Sequence, residues 1–369
     1  MSAIFLGLMS GTSVDSVDVS LIDLAKNNVK ILNCQSRPIP MALKKDILKL
    51  ISSKEVDQVK LSIVDKKIAI TFSNIVKQVL NDKKISHKEI VAIGSHGQTI
   101  KHSPNQVRPF SIQLGNGQEI ANRTLIKTVS DFRSADIRAG GQGAPLTPVF
   151  HQKMFAKDLK RKLIINLGGI ANITLLDPET NTIGFDTGPG NCLLDSWIRR
   201  HKNKEYDKSG RWAASGKVQE ELLVKMLEDC YFEKTFPKST GNDYFNTSWI
   251  DKNIKLCNRE FNSEDVQSTL NRLTVKTITS QISNLCNQKI DVYLCGGGVH
   301  NSFLVSEIEK SLGYKVSSTQ TLGIDPDYVE AISFAWFAYQ RINNNSFNLS
   351  EITGSKGKIL LGEICDPVK

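Results

Sequence analysis

The chain has 369 residues and a formal net charge of +9, with 40% hydrophobic and 23% charged residues. This is ordinary globular composition. Its 47 Lys and Arg are scattered among apolar residues, as in "KKDILKLIS", which argues against the basic stripe or module of a nucleic-acid binder. The apolar runs are too short to span a membrane, and the seven cysteines lie far apart with no C-x-x-C. No charged residue precedes Asp15, so the opening lacks the basic n-region of a signal peptide. A cytoplasmic protein with reduced thiols is expected.

At this length two domains of roughly 150 to 200 residues are expected. Residues 3 to 9 read as a buried strand, 10 to 16 as a turn, 17 to 23 as an alternating strand and 29 to 33 as a third short strand. Helical periodicity follows at 41 to 52 and 59 to 82. "IVAIGSHGQTI" and "FSIQLGNGQEIA" then read as strands that end in polar loops, and 126 to 131 as another strand. Near residue 163 the pattern restarts: "KLIINLGGIANITLLD" and "TIGFDTGPGN" repeat strand, glycine turn, returning strand and third strand. The halves look like copies of one unit, joined through "SADIRAGGQGAPLTP" as the crossover. A helix is expected at 264 to 287 with Ser263 as its cap, then a strand, three glycines and a helix in "IDVYLCGGGVHNSFLVSEIEKSL". A final buried helix is expected at 326 to 342, opened by Asp325 and Pro326. The domains are accordingly placed at 1–135 plus 325–369 and at 136–324.

The first turn, "GLMSGTSVDSVD", sets Gly11 among Ser10, Thr12 and Ser13, so backbone N–H groups and hydroxyls can approach an anion. Asp15 and Asp18 add oxygen ligands suited to Mg²⁺. The alternative is a polar hairpin with Asp18 turned outward. Gly168 and Gly169 in "NLGGIANIT" form a second such turn, or else a plain hairpin. Gly296, Gly297 and Gly298 offer bare backbone to a flat ring, with Asn301 one turn into the following helix; tight helix packing is the alternative. No Walker motif or dinucleotide G-x-G-x-x-G is present. Asp186, at the end of the strand in "FDTGPGN", is the candidate general base, with Asn191 as cap of the next helix. Glu330 either orders water or metal, or is an exposed acid in a helix's first turn. His96 in "SHGQT" suits substrate contact. Arg133, after Asp131, either grips an anion or forms a plain salt bridge.

Taken together, these motifs resemble the actin-like, hexokinase-like ATPase superfamily. Within it, the wording of "GSHGQTIKHSP", "VSDFRSADIRAGGQGAPLTPVFH", "CGGGVHNSFL", "DPDYVEAISFAWFA" and "ITGSKGKILLGEI", with the turns above, is similar to the anhydro-N-acetylmuramic acid kinases from residue 7 to about 362. Ser16 stands where that family usually has glycine, and Ser333 where a small apolar residue is usual. The resemblance implies an α/β, duplicated (ribonuclease H-like) fold of two lobes with an inter-domain cleft, and an ATP- and Mg²⁺-dependent enzyme that opens the 1,6-anhydro ring and phosphorylates O6. It implies ATP contacts from Gly11, Thr12, Ser13, Val14, Asp15, Ser16, Val17, Asp18, Gly168, Gly169, Gly296, Gly297, Gly298 and Asn301. Substrate contacts would come from His96, Gln98, Thr99, Asp131 and Arg133, metal ligation from Asp15 and Asp18, and catalysis from Asp186 and Glu330. A homodimer also follows from resemblance alone. The competing expectations are an ordinary sugar or acid kinase without ring opening, and an actin- or chaperone-like nucleotide-dependent binding protein.

Overall fold

The computed structural model describes residues 3–25, 28–53, 57–104, 106–286 and 288–368. The chain opens with β1 (Ile4–Ser10), β2 (Ser16–Asp23), β3 (Lys30–Pro38), α1 (Met41–Ser52), α2 (Gln58–Lys83), β4 (Ile90–Ser103) and β5 (Phe110–Leu114). There follow α3 (Gly117–Thr124), β6 (Thr128–Ser130), α4 (Ser134–Arg138) and α5 (Thr147–Phe155). The second sheet begins with β7 (Lys162–Leu167), β8 (Ile170–Leu176) and β9 (Ile183–Pro189), after which the helices α6 (Cys192–Lys202), α7 (Arg211–Ser215), α8 (Glu220–Leu227), α9 (Cys230–Glu233), α10 (Thr247–Leu256) and α11 (Ser263–Leu285) run on. The last elements are β10 (Asp291–Cys295), α12 (Ser302–Leu312), β11 (Ser317–Ser318), α13 (Val329–Ile342), β12 (Phe347–Asn348), β13 (Lys358–Ile359) and β14 (Glu363–Cys365). Among the described residues no helix is long and apolar enough to cross a membrane.

The chain divides into two compact units, Met1–Phe150 with Tyr328–Lys369, and His151–Asp327. The first carries a sheet in the order β14-β6-β4-β1-β2-β3, with β5 on β4; the second carries β11-β10-β7-β8-β9. In each, a three-stranded antiparallel meander (β1-β2-β3, β7-β8-β9) is flanked by a parallel strand beside its first member (β4, β10). The repeated strand grammar in the sequence is therefore a repeated sheet.

Alternation decides the faces of β2. Val17, Val19 and Leu21 enter a core built with α1 and α2, while Ser20 lies on the opposite side, near Gly7. There α13 rests on bare backbone. Gly7 and Gly94 are register partners on β1 and β4, and a Cβ on either would stand 1.9 Å from a helix carbonyl, of Ala331 or Phe334. Only glycine fits that window.

Several local expectations need correction. The segment 134–143 is no free crossover: α4 belongs to the first unit, where the Thr353 hydroxyl donates to Asp136 at 2.6 Å and Gln142 N–H donates to the Thr353 carbonyl at 2.9 Å. The first compact unit runs on to Phe150, past the 135/136 division expected from the sequence. Helix α13 starts at Val329, not 326, because Asp325 spends its side chain on the N–H of Asp327 and the Pro326 carbonyl accepts from Gly296 N–H. Ser263 is the first helical residue of α11 and its hydroxyl turns to Glu264, with Asn262 at the cap position. Residues 117–124, expected as a loop after β5, form α3, capped by Asn116 through the N–H of Glu119 at 2.9 Å.

Candidate active site

In the first unit the turn joining β1 to β2 is closed by Val14 N–H on the Gly11 carbonyl at 3.2 Å. Val14 is fully buried with φ 58°, a left-handed conformation that a β-branched residue holds only when its surroundings enforce it. Its side chain anchors the turn in the core and leaves Thr12 and Ser13 half-buried at the tip. Among the described residues, leaving aside its two chain neighbours, no heavy atom lies within 4 Å of the place a Gly11 Cβ would take.

Gln98 braces this turn. It accepts from the buried Ser10 hydroxyl at 2.6 Å and donates to the Gly11 carbonyl at 3.2 Å, and it is wholly inaccessible to solvent. Asp15 is paired with Lys44 of α1, whose side chain is buried. Asp18 accepts from Ser36, its register partner on β3, and from Ser16 at 3.5 Å. The hydroxyl at position 16 is thus tied to Asp18. Among the described residues no three His, Cys, Asp or Glu gather as a metal cage. An ion held there would rest on one or two carboxylates and its own waters, as Mg²⁺ does. The exposed Asp15 carboxylate, with one oxygen on Lys44, fits that donor set.

His96 is not at the end of its strand: β4 continues to Ser103 past Gly97, at φ 77°. Arg133 donates to His96 Nε2 at 2.8 Å, so Nδ1 carries the proton and donates to the Gly97 carbonyl at 3.1 Å. Burial, then the Arg133 charge, hold the imidazole well below its ordinary range, so it stays neutral. Its ring lies against Phe334 of α13, centroids 4.6 Å apart. Asp131, at φ 48°, accepts from Ser134 N–H at 3.1 Å, and Thr99, half-buried on β4, accepts from the Gln113 side chain at 3.4 Å. Glu330 is half-buried in the first turn of α13.

In the second unit the Gly168–Gly169 turn of the β7-β8 hairpin directs its carbonyls at the start of α6, where the N–H groups of Gly190, Asn191 and Cys192 donate at 2.9 to 3.0 Å. The Asn191 side chain donates to the carbonyls of Leu167 and Gly168 rather than capping α6. Turning these carbonyls inward removes negative dipoles that would repel a phosphate. Of the three later glycines, Gly296 and Gly298 are demanded by packing, their Cβ atoms falling 2.2 Å from Asn166 Oδ1 and 2.5 Å from Leu167 Cβ. Gly297 alone of them faces open space. Asn301 is the cap of α12, accepting from Leu304 N–H at 3.1 Å, instead of standing a turn inside it.

Asp186 lies within β9, not at its end, and is 5% exposed. Its N–H donates to the Lys238 carbonyl, its carbonyl accepts from the Tyr231 hydroxyl at 2.8 Å, and Thr240 N–H donates to Oδ2 at 3.0 Å. Opposite it on β8 is Asn172, whose buried Oδ1 has no partner among the described residues. Cross-strand partners share a face, so a carboxylate and an unsatisfied carbonyl oxygen sit side by side, a place for a water or sugar hydroxyl.

Sequence reasoning missed Lys44, Lys238 and the bracing role of Gln98. Lys44 had a signal: it stands on the apolar stripe of α1 with Leu43, Ile47 and Leu50. Lys238 and Gln98 had none, since their partners are distant in sequence.

Two sheets of one topology, each with a glycine turn after its first strand, define a duplicated α/β protein of two units. The model of the family "Anhydro-N-acetylmuramic acid kinase" matches residues 3–367, and the chain belongs to that family. It is 42% identical over 365 residues to the anhydro-N-acetylmuramic acid kinase of Coxiella burnetii (strain Dugway 5J108-111), covering 98% of this chain and 96% of that one. It is 41% identical to that of Pasteurella multocida (strain Pm70), with the same coverage. A solved structure, the activator of 2-hydroxyisocaproyl-CoA dehydratase from Clostridium difficile with bound ADPNP, aligns with a TM-score of 0.44 and 12% identity over 97% of this chain and 100% of that one. The chain is a sugar kinase of cell-wall recycling that uses ATP.

Proposed function

We propose that the enzyme opens the 1,6-anhydro ring of 1,6-anhydro-N-acetylmuramic acid by adding water and transfers the γ-phosphoryl of ATP to O6. Asp186 takes a proton from the water, the hydroxyl bonds to C1, and the C1–O6 bond breaks. O6 then bonds to the γ-phosphorus as the bond to ADP breaks. The products are N-acetylmuramic acid 6-phosphate and ADP, and the proton leaves Asp186 for solvent. The observation that carries this reading is Asp186 itself: a buried carboxylate with its backbone fixed on both sides and an unsatisfied Asn172 oxygen beside it.

The remaining roles follow from the same chemistry. Gly11 to Asp18, with Gly168 and Gly169, are assigned to the phosphates, and Gly296 to Gly298 with Asn301 to the nucleoside. His96, neutral and locked in one tautomer, orients Arg133 toward the anionic substituent of the sugar, with Thr99 and Asp131 as further contacts. Gln98 acts through the turn it braces. Glu330 is assigned to ordering water. Asp15 and Asp18 would hold Mg²⁺, which when bound neutralises phosphate charge. A cytoplasmic homodimer is part of the same proposal.

Asp186→Asn should keep ATP binding and lose turnover by ~10² to 10⁴-fold, the usual worth of a general base. Turnover in ¹⁸O-water should place label at C1 under conditions where the product does not exchange. Unlabelled product would favour an ordinary kinase acting on a free hydroxyl, and ATP turnover indifferent to the sugar would favour a nucleotide-driven binding protein.

A further inference from the structure

Strand β9 does not keep one register against β8. At its far end Pro189 faces Ile170 and Gly188 faces Ala171, whereas from Asp186 backward the pairs are Asn172 with Asp186, Ile173 with Phe185 and Thr174 with Gly184. Thr187 is left over between Gly188 and Asp186 without a counterpart on β8, which makes it a β-bulge. Its surroundings hold it there. Thr187 is 1% exposed, and its hydroxyl donates to the Ala171 carbonyl at 3.2 Å, inside the bulge itself. Gly188 follows at φ 147°, where a Cβ would stand 2.8 Å from the Phe232 ring.

The two registers show what the extra residue does. Carried on without it, the pairing of Ile170 and Ala171 would set Asn172 opposite Thr187 and Ile173 opposite Asp186. Cross-strand partners share a face, and a slip of one residue turns every side chain over. Asp186 would then lie with Ile173 in the apolar core that packs on α11. The far end of β9 is not free to shift instead, because the N–H groups of Gly190, Asn191 and Cys192 are bonded to the carbonyls of Gly168 and Gly169. One strand thus meets two demands that differ by a single residue: the glycine turn at one end, the polar face of Asn172 at the other. We propose that Thr187 is a positioning residue for Asp186: the bulge it occupies, fastened by its hydroxyl, turns the carboxylate out of the core to the Asn172 side while the glycine turn stays in place. This rests on the reading of Asp186 as the general base.

The test is the steady-state kinetics of Thr187→Val, which keeps the branched shape without the hydroxyl, and of Thr187→Ser, which keeps the hydroxyl. Thr187→Val should lose about 10- to 100-fold in kcat, as a reacting group misplaced by about 1 Å does, while KM for ATP stays near that of the parent because the glycine turn keeps its own bonds. Thr187→Ser should recover most of the lost kcat. Thermal melts establish that each variant is folded; should Thr187→Val not fold, Thr187→Ala set against Thr187→Ser supplies the same contrast. A hydroxyl that merely stabilised the strand would lower the melting temperature and leave kcat, measured well below the melt, unchanged. A parent kcat in folded Thr187→Val therefore overturns the proposal. So does a KM for ATP that rises as kcat falls, since both ends of β9 would then move together, and so does a loss in Thr187→Ser equal to that in Thr187→Val. Asp186→Asn is measured alongside. If it remains active the general-base reading fails, whereas an inactive Asp186→Asn with a parent-like Thr187→Val removes Thr187 alone.

Discussion

Lowering the pH from 7.5 to 5 should destabilise the enzyme through three buried imidazoles. Burial pushes His151 down to about 3, and burial with the Arg133 charge pushes His102 to about 3 and His96 well below its ordinary value. The unfolded chain takes up these protons near pH ~6.5 and the folded chain does not, so stability is complete above that value and falls as the solution is acidified toward 3. Each histidine contributes a slope of ~1.4 kcal/mol per pH, or ~2 kcal/mol by pH 5. His96 and His102 lie in the first unit and His151 in the second, so the first unit should lose ~4 kcal/mol and the second ~2, against a typical total of ~5 to 15. Urea unfolding at intervals from pH 7.5 to 5 measures this. His151→Asn, with an amide to bond the Thr174 hydroxyl that now meets Nδ1 at 2.8 Å, should remove one histidine's share of the slope. The reasoning fails if stability is flat over this interval, or if His151→Asn retains the parent slope.

Two further substitutions probe glycine geometry and the first turn. Gly94→Ala drives a methyl into the Phe334 carbonyl of α13 and should cost about 3 kcal/mol or more, seen as a lowered melting temperature; Gly297→Ala, which meets open space, should melt like the parent. Equal melting of the two variants would refute the packing argument. Lys44→Met keeps the buried stem but removes the charge beside Asp15, and should raise KM for ATP by about tenfold, the worth of one charged hydrogen bond. An unchanged KM would take Lys44 out of the phosphate turn's chemistry.

Local pattern carried much of this structure. The β1-β2 hairpin, the restart at β7 and the long helices α1, α2 and α11 all stand where period-2 and period-3.6 runs put them, because their apolar faces must be buried whatever the partner. Ends were less legible. The Asp325-Pro326 start signal of α13 was overridden by a turn whose carbonyl serves Gly296, a bond between residues 30 positions apart. Helix α3 was legible in principle from Asn116 and Glu119 but was masked by the glycines of "GNG". Site residues divided in the same way. The glycine turns and Asp186 announce themselves by composition, whereas Lys238 depends on Asp186, and Gln98 on Ser10, through contacts that only the folded chain creates.

The first unit is discontinuous: its sheet is laid down by residues before Phe150, yet α13, which covers Gly7 and Gly94, and β14, which pairs with β6, come only after the second unit has been made. During synthesis the early sheet must therefore wait with its glycine face uncovered while the uninterrupted segment 151–327 completes itself. The order of events on the ribosome is inverted relative to the order of the sequence, and the part translated first is the part finished last.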